Sequence, residues 1–92
     1  MQITVFTPTY NRAHLLPRLY KSLCAQTCKD FEWIIVDDGS VDETKSIIDG
    51  FINDNSITIR YFCQENGGKH RAINRGVKEA KGNLFFIADS DD

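Results

Sequence analysis

Phe31-Glu32-Trp33-Ile34-Ile35-Val36-Asp37-Asp38-Gly39-Ser40 is the stretch that decides the fold. Apart from Glu32, its first six residues are apolar. A strand buried on both faces reads this way, whereas a strand with one wet face alternates. The run then stops on two carboxylates and a Gly-Ser turn. Polar groups set at the carboxyl end of a buried strand are how open parallel sheets present ligand-binding residues.

The flanking sequence repeats the theme. Upstream, Ile3-Thr4-Val5-Phe6 reads as a strand that ends at Pro8. Leu16, Leu19, Tyr20 and Leu23 follow helical spacing, which predicts a helix over residues 13–26. Asn11 is its candidate cap, and Pro17 is tolerable only near its start. Downstream, Ser40 with Glu43 makes a capping box that opens a second helix. Ile47, Ile48, Phe51 and Ile52 form its buried stripe. A third strand covers residues 57–62. Gly67-Gly68 breaks the chain, and a third helix runs over 69–81 with Ile73, Val77 and Ala80 inward and Gly82 as its C-terminal stop. Leu84-Phe85-Phe86-Ile87-Ala88 reads as a fourth, buried strand.

Alternating strands and helices imply an α/β fold, a three-layer Rossmann-like parallel sheet with helices on both faces. Right-handed crossovers give the spatial order 3-2-1-4 if the chain reverses after the third strand. Ligands in such sheets bind beyond the carboxyl ends of the strands at the reversal, here between the first and fourth. Thr7-Pro8-Thr9-Tyr10, Asp37-Asp38-Gly39-Ser40 and Asp89-Ser90-Asp91-Asp92 are therefore expected to converge on one rim.

Composition bounds the reading. The chain has 92 residues, 41% hydrophobic and 26% charged, with eleven basic residues against thirteen acidic ones for a net charge of -2. A chain of this size is one small domain or a piece of one, and it buries only roughly 60–65% of its unfolded surface. The balance of charge gives no electrostatic footprint for nucleic acid. No apolar stretch approaches the roughly 20 residues that span a bilayer, and residues 1–10 do not read as a signal peptide. A soluble, cytoplasmic protein is the expectation. Cys24, Cys28 and Cys63 read as reduced, partly buried thiols, since no histidine is spaced to complete a zinc site with them.

Asp89, Asp91 and Asp92 place three carboxylates within four positions at a strand end. Two carboxylates about 5 Å apart repel by roughly 3 kcal/mol at an effective dielectric of about 20. A hard divalent cation, Mn²⁺ or Mg²⁺, relieves that repulsion and can bridge the cluster to a diphosphate. Solvation of a strand end would explain one such aspartate, but explains three less well. Asp38 can accept a ring N–H or ribose hydroxyls, or, with Asp37, can simply favour a helix start electrostatically. Tyr10 is open to two readings, stacking on a base or covering the sheet. Arg12 is a candidate partner for phosphate or for a nearby aspartate. Asn66-Gly67-Gly68-Lys69-His70-Arg71 opens a helix with cations and backbone N–H groups, which suits an anion. Lys69 stands out, because a cation at a helix start opposes the helix dipole unless an anion joins it. The segment is neither a P-loop nor a dinucleotide fingerprint. His14 reads as a surface residue.

On these motifs the chain resembles the nucleotide-binding, N-terminal part of a family-two glycosyltransferase with the GT-A fold. The residues that carry the resemblance are Thr7 to Arg12, Ile35 to Asp42, the spaced set Asn66, Gly68, Ala72, Asn74, Gly76, Ala80 and Gly82, and the closing Asp89-Ser90-Asp91-Asp92, which matches the family's DxD element. The resemblance implies inverting transfer of a sugar from a nucleoside diphosphate donor, often UDP-linked, with a metal and a general base. Carried over by position, Thr7, Pro8, Thr9, Tyr10, Arg12, Asp37, Asp38, Gly68, Lys69, Asp89 and Ser90 would bind the nucleotide. Asp91, Asp92 and Asp89 would hold the metal. Family members continue beyond the DxD element to an acceptor site and a catalytic carboxylate. This chain is accordingly expected to bind nucleotide without catalysing transfer, and its fourth strand to offer an open edge for self-association. The family also suggests cell-surface polysaccharide synthesis at the cytoplasmic face of a membrane.

Two other classes share parts of the pattern. A phospho-receiver domain carries its acidic pair after the first strand, whereas Asp37-Asp38 follow the second. A nucleotidyltransferase normally has a glycine-rich basic loop after the first strand, and Thr7 to Arg12 contain no glycine. A binding-only nucleotide module is a further alternative.

Overall fold

The computed structural model of the chain describes residues 3–11, 13–26, 30–54, 56–65, 69–82 and 84–88, without the side chains of Lys69 and His70. Four strands, β1 (Ile3–Thr9), β2 (Phe31–Asp37), β3 (Thr58–Cys63) and β4 (Leu84–Ile87), alternate with three helices, α1 (Leu16–Cys24), α2 (Thr44–Asp54) and α3 (Lys69–Glu79). The sheet is parallel throughout in the order β3-β2-β1-β4, as the alternation implied.

Every residue of β2 is buried. Phe31, Trp33 and Ile35 face one side, where Leu16 of α1 and Ile48 of α2 join them. Ile34 and Val36 face the other, packed with Phe6 of β1 and Ala72 of α3. Period-two alternation thus feeds two separate cores, and a strand between them has no wet side. On the first face Phe51 stacks on Tyr20, with ring centroids 4.1 Å apart.

Several local expectations are corrected. The first helix is shorter than 13–26: Ala13–Leu15 form a single 3-10 turn and α1 starts at Leu16, with Pro17 in its first turn. Asn11 does not cap it. The residue at the cap position is Leu15, which makes no side-chain bond there. The Ser40–Glu43 capping box is absent, because the Ser40 hydroxyl accepts the Asn11 N–H instead. Asp42 serves the start of α2, its Oδ1 accepting both the N–H and the hydroxyl of Thr44. Burial pushes the Asp42 carboxyl up, but the bonds from Thr44 and from the Ala13 N–H outweigh it and hold it below the usual range. Ile52 lies outside the buried stripe of α2, at 40% exposed.

In α3 the inward face is Ala72, Ile73 and Gly76 rather than Val77, which is 58% exposed. Small residues are required there. A Cβ at Gly76 would lie 2.3 Å from the Phe6 ring. Gly82 is not a left-handed helix stop, since Gly39 is the only described glycine with positive φ. It is needed for close approach: a Cβ there would meet the Thr4 backbone N at 2.5 Å. β4 is not a buried strand either. It lies at the edge, with Leu84, Phe86 and Ile87 about half exposed and Phe85 turned in to stack on Phe6.

Glu32, the polar exception in the apolar run, is fully buried. Its Oε2 accepts the Lys81 N–H at 2.6 Å and the Thr4 hydroxyl at 2.7 Å, and its Oε1 accepts Arg60 Nη1 at 3.2 Å. Burial alone would raise its carboxyl, but these donors together hold it below the usual range. Through this carboxylate the chain after α3 is fastened to β1 and β2.

Candidate functional site at the carboxyl ends of the strands

Register puts Thr9, Asp37 and Cys63 side by side at the ends of β1, β2 and β3. β4 stops short of them. Its last pair is Phe6↔Ile87, and the Ala88 N–H closes a final rung on the Phe6 carbonyl at 2.7 Å. The next rung on this side would need an N–H from Pro8, which proline lacks. On the other side β1 continues beside β2, and the Asp38 N–H reaches the Thr9 carbonyl at 2.9 Å. β1 therefore does not end at Pro8. Proline removes one N–H from the side of β1 that faces β4, where the strand order reverses.

Besides Pro8, five sequence-selected residues at this rim are described together with their neighbours. Thr7 is buried and its hydroxyl accepts the indole N–H of Trp33 at 2.9 Å, on the face covered by α1 and α2. Asp37 is buried too. Its Oδ1 accepts the Ser40 N–H and its Oδ2 the Tyr61 hydroxyl, so it holds the turn around Gly39. Burial, then the bond to Asp37, pushes the Tyr61 phenol well above its usual range. Asp38 stands next to it, 7% exposed, with its Oδ1 accepting the Gln64 amide at 3.1 Å.

Thr9 is 3% exposed, and its Oγ1 is the single buried side-chain oxygen or nitrogen without a hydrogen-bond partner among the described residues. Tyr10, by contrast, is 44% exposed. His14 is exposed, as expected. Arg12, Gly68, Asp89, Ser90, Asp91 and Asp92 lie outside the described residues, as does the Lys69 side chain. Among the described residues no group of three His, Cys, Asp or Glu side chains is gathered for a metal, and no helix is long and apolar enough to cross a membrane.

Sequence reasoning missed Gln64 and Tyr61. Both sit on or just beyond β3, and the signal was available: carrying the rim argument to the carboxyl end of the third strand, next to Asp37, points to them. The Thr9 hydroxyl was selected from sequence, but its lack of a partner emerges only from packing.

The comparisons with known proteins agree with this geometry. The profile described as Glycosyl transferase family 2 matches residues 4–92. Glycosyltransferase GlyG of Streptococcus pneumoniae is 40% identical over 91 residues, covering 98% of this chain and 30% of its own length. The GalNAc(5)-diNAcBac-PP-undecaprenol beta-1,3-glucosyltransferase of Campylobacter jejuni is 37% identical over 99% of this chain and 30% of its own. Among solved structures, S. aureus TarS 1-349 in complex with UDP-GlcNAc superposes with a TM-score of 0.90 at 32% identity, over 99% of this chain and 27% of that one. The mannosyltransferase PcManGT from Pyrobaculum calidifontis, with GDP-Man and Mn²⁺, gives 0.89 at 29% identity over 98% and 27%. The chain thus spans under a third of the length of these relatives. With the order β3-β2-β1-β4, the acidic end of β2 and a family match over nearly its whole length, the chain belongs to glycosyl transferase family 2 and has the N-terminal sheet of the GT-A fold.

Proposed function

We propose that this chain is the nucleotide-sugar-binding part of an inverting glycosyltransferase. The donor is a nucleoside diphosphate sugar, UDP-linked, and the acceptor a hydroxyl of a saccharide or lipid-linked saccharide. In the reaction the acceptor oxygen attacks the anomeric carbon as the bond to the diphosphate oxygen breaks, which inverts that centre. The acceptor proton goes to a base not assigned to any of these residues. The setting is cell-surface polysaccharide assembly at the cytoplasmic face of a membrane.

The observation that carries the reading is the rim of β1 and β2. There the nearly buried Asp38 carboxylate and the 44% exposed Tyr10 follow the ends of β2 and β1, next to Thr9, whose buried hydroxyl has no partner among the described residues. A buried hydroxyl without a partner costs free energy that a ligand can recover. Asp38 offers an acceptor to a ring N–H, Tyr10 a face for the base, and Thr7 and Pro8 carry the strand that places them. Asp37 holds the turn that presents Asp38. Arg12, Gly68 and Lys69 are assigned to the diphosphate, and Asp89 and Ser90 to ribose and phosphate.

The donor chemistry of Asp91 and Asp92, with Asp89, fits Mn²⁺ or Mg²⁺, since clustered carboxylates are the oxygen ligands hard cations take. Such an ion, when bound, neutralises diphosphate charge. The UDP-GlcNAc and GDP-Man/Mn²⁺ complexes of the structural neighbours support the reading. It also includes self-association through the outer edge of β4, where Leu84, Phe86 and Ile87 are exposed.

The test is calorimetric titration of UDP into the chain with Mn²⁺ and with chelator, repeated for Asp91→Asn and Asp38→Asn. Metal-dependent binding that Asp91→Asn abolishes and Asp38→Asn weakens about tenfold, the range for one lost polar contact to a charged group, is the expected outcome. A folded chain that binds no UDP, or binds it equally in both variants, overturns the proposal.

A further inference from the structure

Tyr10 sits between two short ties, three bonds in all, that join the β1–α1 segment to the β2–α2 segment. On one side the Asp38 N–H donates to the Thr9 carbonyl at 2.9 Å. On the other the Asn11 N–H donates to Ser40 Oγ at 2.8 Å, and the Val41 N–H donates back to Asn11 Oδ1 at 2.8 Å. A third tie follows at once, from the Ala13 N–H to Asp42 Oδ2 at 3.2 Å. Asn11 makes this exchange from a left-handed backbone, with φ at 52°, the only described non-glycine residue so placed. Asparagine is among the few residues that adopt this conformation readily.

We infer that Asn11 is a positioning residue for the nucleotide base: by locking the two segments together it fixes Tyr10 in register with Asp38 before any ligand arrives. The inference rests on the base-binding reading above. A loop that merely connected a strand to a helix would need neither the reciprocal bonds nor the left-handed turn. Here they hold the backbone on both sides of an aromatic ring that stays 44% exposed. A platform ordered in advance spares the ligand the cost of ordering it, and preorganisation of this kind appears as affinity. Ser40 has the complementary role. Its own N–H donates to Asp37 Oδ1, so the lock and the turn that presents Asp38 share one residue.

The test is a double-mutant cycle read in UDP affinity. Asn11→Gly retains a left-handed backbone but removes the acceptor for Val41. It is made in the native chain and in a Tyr10→Ala background, and UDP is titrated with Mn²⁺ into all four proteins. Urea unfolding of each gives the folded fraction, so that affinity is referred to folded protein. The expected result is a loss of about tenfold for Asn11→Gly, near the upper range for ordering one side chain, shrinking to under about twofold when Tyr10 is already alanine. Ser40→Ala should reproduce the pattern and Ser40→Thr, which keeps the hydroxyl, should restore affinity, so a failure of Asn11→Gly to fold leaves the test intact. Equal losses in both backgrounds, or no loss, overturn the inference while the base-binding reading stands. Failure of the unaltered folded chain to bind UDP overturns both.

Discussion

Replacing Glu32 by glutamine changes one buried atom from oxygen to nitrogen and leaves the shape of the core intact. Its effect therefore isolates the polar network that joins β1, β2, β3 and the end of α3. In the native chain Oε2 accepts from the Lys81 N–H and the Thr4 hydroxyl, and Oε1 accepts from Arg60. A glutamine can keep its carbonyl on Lys81 and Thr4, but its amide then faces the Arg60 guanidinium, donor against donor. The lost bond is charge-assisted, a class worth about 1.5–3 kcal/mol. Arg60 is not stranded, because it is 24% exposed and also bonds the Glu79 carbonyl and carboxylate. The expected cost is thus about 2–3 kcal/mol, short of the roughly 3–5 kcal/mol for removing a partner from a fully buried pair. For a domain of this size that is a fall in Tm of about 10–20 °C.

The assay is urea unfolding across pH. Because Glu32 is held below its usual range when folded, the unfolded state binds more protons in the window between the two pKa values. Its contribution is complete above the unfolded glutamate range, near about 4.3, and is lost as pH falls through the folded value. The native and Glu32→Gln curves should therefore differ fully at pH 7 and converge in acid. A difference under about 0.5 kcal/mol at pH 7, the level of an ordinary surface change, would refute the argument, as would a gap independent of pH.

Three further outcomes follow from the helical glycines and from Tyr20. Gly76→Ala forces a methyl against the Phe6 ring, which is fully buried and stacked on Phe85 and so cannot swing away. Overpacking of about 1–3 kcal/mol, less about 1 kcal/mol gained in helix propensity, predicts a net loss of up to about 2 kcal/mol in urea unfolding. Gly50→Ala in α2 meets nothing within 4 Å and should instead stabilise the chain by about 0.5–1 kcal/mol. Tyr20 bonds Asp54, and this bond, then burial, pushes its phenol up to about 12. Stability linked to Tyr20 is complete below about pH 10 and is lost as pH rises to about 12, so Tyr20→Phe should flatten that alkaline limb in a pH series of thermal melts.

Legibility from sequence followed from what each feature depends on. The sheet order was readable because strand burial and alternation are set by local apolar runs, and Phe31 to Val36 form one. The helix starts were misread because Ser40 and Asn11 each had a plausible local partner, yet bonded each other across 29 residues. Side chains that can cap a helix can equally join two loops, and only packing decides between them. Val77 and Ile52 satisfied helical spacing but fall on the margins of their helices, where the narrow sheet does not reach. At the rim, Asp38 and Tyr10 were legible as polar and aromatic groups at strand ends, whereas Gln64 is reached only when the rim argument is carried on to the end of β3.

The two ends of this small sheet put buried oxygens to opposite uses. Toward the amino ends of the strands Glu32 is fully enclosed, and donors from β1, β3 and the chain after α3 meet both of its oxygens. Burial there is complete and closed, as expected of a fastening. At the carboxyl ends Thr9 is buried almost as deeply, yet its hydroxyl has no partner among the described residues. The apolar cores above and below would tolerate a valine at position 9, which has the same shape and no unmet bond. A buried threonine without a partner at the end of β1, paired with Asp37 across the strands, is what the proposed nucleotide site would use, the ligand supplying the missing bond.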